Sequence, residues 1–128
     1  MSFLNRFAGQ FYSFLRLIVG FLFACHGAQK LFGVLGGTQL LHIPLMFVAG
    51  IIEFFGGLLI ALGVFTAYAA FIASGEMGFA YFMVHAPQGF WPIRNHGELA
   101  VVYCFLFLYI ASSGDGAWSL RSLLKGNG

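Results

Sequence analysis

Six ionisable side chains lie in apolar stretches of the sequence, where lipid or protein rather than water must surround them. Glu53 is the only charge in residues 43–63 and is close to the middle of that stretch. An acid at the centre of a bilayer costs about 2.5–3.5 kcal/mol, so other helices must bring hydrogen-bond donors to it. The candidates for a polar or ligand-binding site are Arg16, His26, Lys30, Glu53, Glu76 and Glu98.

The depths of these groups predict how they pair. At about 1.5 Å per residue, Glu53 and Glu76 are each some 15 Å inside their spans, whereas Lys30 and Glu98 are within a turn of the outer face. We therefore expect Lys30 to pair with Glu98. Two neighbouring carboxylates at low dielectric should not both ionise, so one of Glu53 and Glu76 is predicted to be protonated at neutral pH.

Small residues share helix faces with these groups. On a helical wheel, Arg16, His26 and Lys30 fall within about 80° of one another, which gives the first helix a cationic face. We expect Arg16, on the inner half of the membrane, and His26, on the outer half, to lie on either side of the depth at which the two deep acids are found. Small residues accompany the acids: Gly50, Gly56 and Gly57 beside Glu53, and Ala69, Ala73 and Ala80 beside Glu76. This pattern is typical of membrane helices that pack closely around polar groups.

The elements that position the six groups are predicted to be transmembrane helices. The chain has 128 residues, of which 60% are hydrophobic and 8% charged. A soluble domain of this size cannot bury so much apolar surface, so the lipid bilayer is the expected partner. The net charge of +2 comes from scattered cations without a basic stripe, which argues against a nucleic-acid partner.

Four apolar segments are long enough to span a bilayer. We predict a single transmembrane domain over residues 1–128, an all-α integral membrane four-helix bundle with helices at about 11–32, 42–63, 64–85 and 96–113. An even number of spans puts both termini on one side. That side carries Arg6, Arg121 and Lys125, against Lys30 and Arg94 on the other, so we expect both termini to be cytoplasmic.

The N-terminal stretch has an alternative interpretation as a signal. Arg6 and Arg16, followed by residues 17–24 and then Cys25, are similar to a lipoprotein signal peptide. Phe23 fits such a cleavage box poorly. We therefore interpret the stretch as the first transmembrane helix.

The cysteines and histidines provide two further alternatives. Cys25 and Cys104 fall at similar depths, which allows a redox pair, but thiols in apolar helices are usually inert packing groups. His26 is deeper than the other three histidines, so two histidines facing each other across a haem are not expected. We assign no metal and no cofactor held within the chain.

The polar cluster as a whole supports two interpretations. It forms either a set of ion pairs that specify the order of the helices, or a proton path and polar anchor for a ligand such as a quinone head group. Ionisable groups inside membranes are costly and usually functional. We therefore favour a site over packing alone.

Several short motifs, in this order and spacing, resemble the DoxX family of small four-helix membrane proteins. The first group is Arg16-x-x-x-Gly20, His26-Gly27-x-x-Lys30-Leu31, Glu53-x-x-Gly56-Gly57 and Gly63-x-x-Thr66. The second is Asn95-x-Gly97-Glu98, Tyr103 and Gly114-Asp115-Gly116-x-x-Ser119-Leu120. The resemblance implies a four-helix bundle in the bacterial inner membrane and a relation to DoxD-type subunits of thiosulfate:quinone oxidoreductase. The chain offers no soluble domain for thiosulfate chemistry, so independent thiosulfate oxidation is not expected.

The resemblance and the polar cluster together suggest a small subunit of a larger membrane redox assembly, linked to a quinone. Any catalysis would then belong to a quinone-linked oxidoreductase rather than to this chain alone. In this hypothesis Glu53 and Glu76 carry protons, Arg16 and Lys30 set their ionisation, and His26 donates to a ligand carbonyl.

Two other functions compete with this hypothesis. One is a purely structural accessory subunit of a respiratory or photosynthetic complex, in which the same residues only fix helix packing. The other is a small-molecule carrier, disfavoured because the sequence shows no inverted repeat or broken helix.

Overall fold

The computed structural model describes residues 1–126, and every regular element in that range is helical. The elements are α1 Ser2–Asn5, α2 Ala8–Phe32, α3 Pro44–Leu62, α4 Thr66–Gln88, α5 Pro92–Asn95, α6 Glu98–Ser113 and α7 Leu120–Lys125. Two helices contain a wider turn of the π type, at Ile52–Gly56 in α3 and at Tyr81–His85 in α4. The all-helical class predicted from the sequence is confirmed for the described residues.

Three of the helices are long and apolar enough to cross a membrane. α2, α3 and α4 have 25, 19 and 23 residues, and their most apolar windows have mean hydropathies of 1.5, 2.3 and 1.2. α6 is also apolar but has only 16 residues, which corresponds to about 24 Å along its axis. Residues 1–126 therefore contain three helices of spanning length and a shorter apolar fourth.

Glycine and proline determine where the helices begin and end. α2 stops at Gly33, whose φ of +68° places it in the left-handed conformation that terminates helices. Pro44 and Pro92 occupy the first turns of α3 and α5, where a missing N–H costs nothing. Gly63 at φ +76° and Phe65 at φ +51° turn the chain between α3 and α4. These residues fix the connections that place α3 beside α4.

The bundle has two distinct ends. The termini end contains the start of α2, the turn at residues 63–65 and the segment at residues 114–119. Hydrogen bonds join these parts: the Tyr12 hydroxyl donates to the Gly114 carbonyl at 2.6 Å, and the Arg121 amide donates to the Gly63 carbonyl at 3.3 Å. The loop end contains the connections at residues 33–43 and 89–97.

Apolar side chains from α2, α3, α4 and α6 meet in one core. Phe23, Ile60 and Phe107 are almost completely buried there, and the ring centroids of Phe23 and Phe107 are 4.6 Å apart. Ala70 and Ala73 bring α4 close to α6 and are also completely buried. These contacts hold the four helices in a fixed order around the polar groups.

Small residues allow α2 and α3 to touch along their length, as the sequence predicts. A Cβ atom at Gly20 would overlap the Ala61 amide nitrogen, and one at Gly27 would overlap the Phe54 amide nitrogen. Gly57 packs in the same way against the backbone of Ala24. Gly56 differs, because a Cβ there would meet open space. Only the second glycine of the pair mediates the close contact.

Candidate functional site

Lys30 and Glu53 form a largely buried ion pair between α2 and α3. The Lys30 Nζ atom lies 2.6 Å from the Glu53 Oε1 atom, and the two side chains are 23% and 3% exposed. The close approach of Gly27 to Phe54 brings the two helices together beside this pair. A lysine at the end of a spanning helix thus provides the donor that the deep acid requires.

The predicted pairing of Lys30 with Glu98 is wrong. Side chains on an α-helix tilt toward its N-terminus, so the long stem of Lys30 extends back toward the middle of α2 rather than out to the surface. Glu98 is instead exposed in the first turn of α6. A negative charge is favourable there because it faces the free N–H groups and the positive end of the helix dipole.

The π turn at Ile52–Gly56 positions Glu53. This segment widens α3 where the helix passes α2, and Glu53 is its one acidic residue. Single π turns inside α-helices occur frequently at functional sites. A local change of helix geometry therefore coincides with the buried charge.

Glu76 lies on α4 and shares a cavity with the ion pair. Its side chain is half-buried, on the same side of α4 as the buried residues Ala69 and Ala73. Its Oε1 atom is shielded from solvent and has no hydrogen-bond partner among residues 1–126. A buried polar oxygen without a partner costs free energy, so a hydrogen-bond donor supplied by a ligand would be favourable at this atom.

The cavity has a volume of about 600 Å³ and lies between α2, α3, α4 and α6 near the loop end. Most of its lining is apolar, and several lining side chains, among them Val48, Phe79 and Met83, are also exposed on the outside of the bundle. The cavity thus reaches the surface that hydrocarbon would cover. Its ionisable side chains are His26, Lys30, Glu53, Glu76, His85, His96 and Tyr103.

His26 lies on the cavity wall beside Tyr103. The two rings meet edge to face, with centroids 6.1 Å apart and an interplanar angle of 89°. No hydrogen bond to the His26 ring occurs within the described part of the chain. Its ring nitrogens therefore remain available to a molecule in the cavity.

Asn95 organises the loop end of the cavity and was not singled out as a site residue from the sequence. Its side chain is completely buried and donates to the Gly89 carbonyl at 2.9 Å and to the Tyr81 hydroxyl at 3.2 Å. Its Oδ1 atom accepts from the Gly97 amide at 2.8 Å, and its carbonyl lies 3.0 Å from the His85 Nδ1 atom. The Asn-x-Gly motif before α6 was the available signal.

Three cavity residues were not predicted as site residues. His85 and His96 were considered only as two of the three histidines that lie less deep than His26, and Tyr103 only as part of the family resemblance. The structure brings all three to the wall that also holds Glu53 and Glu76. Their convergence depends on the loop fold around Asn95, which residue spacing alone does not reveal.

Arg16 is buried at the opposite end of the bundle. Its Nη1 atom donates to the carbonyls of Ile60 at 3.1 Å and Ala61 at 3.3 Å, and its Nη2 atom donates to the Trp118 carbonyl at 2.7 Å. The guanidinium therefore caps α3, whose last carbonyls lack helical partners and form the negative end of the helix dipole.

Arg16 lies on the inner half, as expected, but it does not share a site with the deep acids. Along α2 it is roughly 21 Å from Lys30, at about 1.5 Å per residue. Neither Arg16 nor Glu98 lines the cavity, so four of the six predicted site residues converge and two do not.

The two cysteines do not contribute to the cavity. Cys25 and Cys104 are both free thiols, and neither is among the lining residues. The Ser74 hydroxyl donates to the Cys104 carbonyl at 2.7 Å, with the Cys104 sulfur 3.6 Å away. Cys104 therefore lies at the contact between α4 and α6.

Comparison with known proteins identifies the family. The DoxX family model matches residues 11–86, which include most of α2, all of α3 and most of α4. An uncharacterized protein of Haemophilus influenzae is 44% identical over 127 residues, covering 94% of this chain and 95% of that protein. No solved structure gives a significant match. The match covers more than half of the sequence and includes Lys30, Glu53 and Glu76, and the chain belongs to the DoxX family.

Proposed function

We propose that the cavity binds a lipid-soluble quinone, or a similar apolar molecule with a carbonyl-bearing head group, and that the protein serves a membrane redox assembly as a small subunit. One observation carries the proposal: the Lys30–Glu53 pair and the unpartnered Glu76 oxygen line a mostly apolar cavity that reaches the lipid-facing surface. An amphipathic molecule matches that combination of an apolar lining and few polar groups.

The size and lining of the cavity suit such a ligand. Small-molecule sites usually occupy about 300–1,000 Å³ and are lined mainly by apolar side chains, with few polar groups to fix orientation. This cavity has about 600 Å³. Exposed apolar residues at its rim, such as Leu45 and Ile72, provide a route from the hydrocarbon.

The polar residues have distinct roles in this proposal. Lys30 and His26 are donors for a ligand carbonyl, and Lys30 also holds Glu53 in position. Glu76 exchanges a proton with the ligand, because its Oε1 atom has no competing partner among the described residues. A bound quinone supplies two-electron, two-proton chemistry, and the electron-transfer centre belongs to a partner protein.

The proposed location is the bacterial inner membrane, with the termini in the cytoplasm. Arg6, Arg16, Arg121 and Lys125 all belong to the termini end, where Asp115 is the one acid among the described residues. The loop end contains Lys30 and Arg94 together with Glu53, Glu76 and Glu98. An excess of positive charge marks the cytoplasmic side of bacterial membrane proteins.

A structural accessory role is the second candidate, and the ion pair itself favours it. Lys30 and Glu53 join α2 to α3, so they would stabilise the bundle even if nothing entered the cavity. The two functions differ in what Glu76 does, because its Oε1 atom has no hydrogen-bond partner among residues 1–126 and so contributes nothing to joining the helices. Glu76 is therefore the residue to test.

The test is quinone binding to the purified protein in lipid nanodiscs, with decylubiquinone as the probe. We expect saturable binding that Glu76→Gln weakens roughly tenfold, the effect of losing one hydrogen bond to a charged or strongly polar group. The matched control is Glu98→Gln, which removes an exposed acid outside the cavity and should leave the affinity unchanged. Absence of saturable binding, or equal affinities of all three proteins, would support the accessory role.

A further inference from the structure

A second, smaller cavity lies at the termini end, far from the proposed quinone site. This slot has a volume of about 430 Å³ and is formed by α2, the last turn of α3 and the C-terminal segment. Its apolar wall includes Phe14, Leu17 and Leu62, which are exposed on the lipid-facing surface. The remainder of its lining contains Arg16, Ser119 and Ser122. One cavity thus offers both an apolar groove and a polar end.

Arg16 places a buried positive charge in the wall of this slot. The residue is only 2% exposed, and its guanidinium donates to three backbone carbonyls. No carboxylate of the described residues pairs with it, and its Nε atom has no partner among them. Asp115 is close enough to attract the guanidinium but forms no ion pair with it, so the buried charge is only partly compensated, and this favours a further anion nearby.

The C-terminal helix beside the slot has the pattern of a membrane-surface helix. Leu120, Leu123 and Leu124 project apolar side chains into the surroundings, and Leu123 and Leu124 are more than 70% exposed. Arg121 and Lys125 lie one turn apart on the same short helix. Helices with leucine on one side and basic residues on the other lie in the interface and attract anionic lipids.

Trp118 places the slot at the interface between head groups and hydrocarbon. Its ring packs edge to face on Phe14, with centroids 5.6 Å apart, and is 55% exposed at the mouth of the slot. Tryptophan is enriched at this level of membrane proteins because its ring is amphipathic. The head group and upper acyl chain of a lipid meet at the same depth.

We infer that the slot is a binding site for an anionic phospholipid, with an acyl chain along Leu17 and Leu62 and the phosphate attracted by the positive charge of Arg16. The Ser119 and Ser122 hydroxyls donate to the Gly116 and Ala117 carbonyls, so they line that end of the slot without donating to the phosphate. Charge complementarity selects this occupant. The termini end carries Arg6, Arg16, Arg121 and Lys125 against one acid, Asp115, within residues 1–126. The inference is independent of the quinone proposal, because the two cavities share no lining residue.

The chain provides its own reporter for this site. It contains two tryptophans, Trp91 at the loop end and Trp118 at the slot. In a Trp91→Phe variant, fluorescence reports only on Trp118. The experiment uses bilayers with a constant total fraction of phosphatidylglycerol in phosphatidylcholine, so that the surface charge does not change. A brominated quencher is carried first by the phosphatidylglycerol and then by the phosphatidylcholine.

We expect brominated phosphatidylglycerol to occupy the site next to Trp118 at least about fivefold more strongly than brominated phosphatidylcholine, the preference that one basic group near the lipid confers. Ala117→Leu, which fills part of the slot, should reduce this preference to below about twofold. Ser122→Leu is a second variant with the same expected effect if Ala117→Leu does not fold.

Arg6→Gln is the control, because it removes a cation at the same end without changing the lining of the slot or the C-terminal helix beside it. It should keep most of the preference. Equal quenching by the two lipids in the Trp91→Phe protein would overturn the inference. It would also be overturned if Arg6→Gln lost the preference as completely as Ala117→Leu, because diffuse surface attraction would then explain it.

Discussion

The Lys30 ammonium lies 2.6 Å from the Glu53 carboxylate, so a single ion pair joins α2 to α3 where both helices are surrounded by apolar residues. The same pair forms part of the cavity wall. The pair therefore both stabilises the helix bundle and lines the proposed ligand site, and substitutions can separate these two roles.

Replacing Lys30 with Met should destabilise the fold strongly, because it leaves Glu53 buried without its cation. Removing one partner of a buried pair typically costs about 3–5 kcal/mol. The double variant Lys30→Met, Glu53→Gln should recover much of this loss, since it leaves no unpaired charge. Thermal unfolding of the detergent-solubilised protein measures the loss in Lys30→Met and the recovery in the double variant. Arg94→Met is the control for loss of an exposed cation at the same end. If the double variant is no more stable than Lys30→Met, the ion pair is not the source of the stability.

Gly20→Ala should weaken the contact between α2 and α3, because the new Cβ would overlap the backbone at Ala61. Overpacking of this kind costs about 1–3 kcal/mol. Gly75→Ala is the matched control, since a Cβ there meets open space and alanine favours a helix by up to about 1 kcal/mol. Unfolding midpoints of the two variants should therefore move in opposite directions. A shift of both in the same direction would contradict the assigned helix contact.

Arg16→Gln should release the C-terminal segment from the bundle. The substitution removes the charged donors to the carbonyls of Ile60, Ala61 and Trp118. The measurement is the rate at which a membrane-impermeant thiol reagent labels Ser119→Cys, at a buried position of this segment, in a background with Cys25 and Cys104 replaced by Ser. We expect labelling to accelerate severalfold, whereas Arg6→Gln, at an exposed cation of the same end, should leave it unchanged. Equal rates in all three proteins would show that Arg16 does not hold the segment.

One of the two cavity carboxyls should carry a proton at neutral pH. Lys30 provides one positive charge beside Glu53 and Glu76, and two like charges in one apolar cavity are unfavourable. Infrared difference spectroscopy should show the C=O stretch of a protonated carboxyl, and Glu76→Gln should remove it while Glu98→Gln should not. Detection of both cavity carboxyls as ionised would contradict this prediction.

The sequence predicted the class of the fold because the composition and the lengths of the apolar segments leave few alternatives. It also predicted close helix contacts at small residues on the faces of the acids, and Gly57, which packs against the backbone of Ala24, is one of them. Which polar groups pair with each other was harder to predict. Depth counted along the backbone placed Lys30 with Glu98, but the tilt of helical side chains brings Lys30 to Glu53 instead.

Arg16 illustrates a second limit of sequence reasoning. Its position on the same face as His26 and Lys30 suggested a shared site. The free carbonyls at the C-terminal end of a helix also attract cations, however, and Arg16 binds those of α3. Residues 114–119 fold over the end of α3 and add the Trp118 carbonyl to the partners of Arg16, which fixes the guanidinium at this end of the bundle. That segment has no helical periodicity from which its position could be derived.

Photo-crosslinking with an azido-quinone in native-like nanodiscs, followed by mass spectrometry of the labelled peptides, tests most directly whether the cavity is a ligand site. The account predicts labelling within α3 and α4 around Glu53 and Glu76, suppressed by excess decylubiquinone and reduced in Glu76→Gln but not in Glu98→Gln. Labelling confined to the outer surfaces of the helices, or labelling that excess decylubiquinone does not reduce, would contradict it.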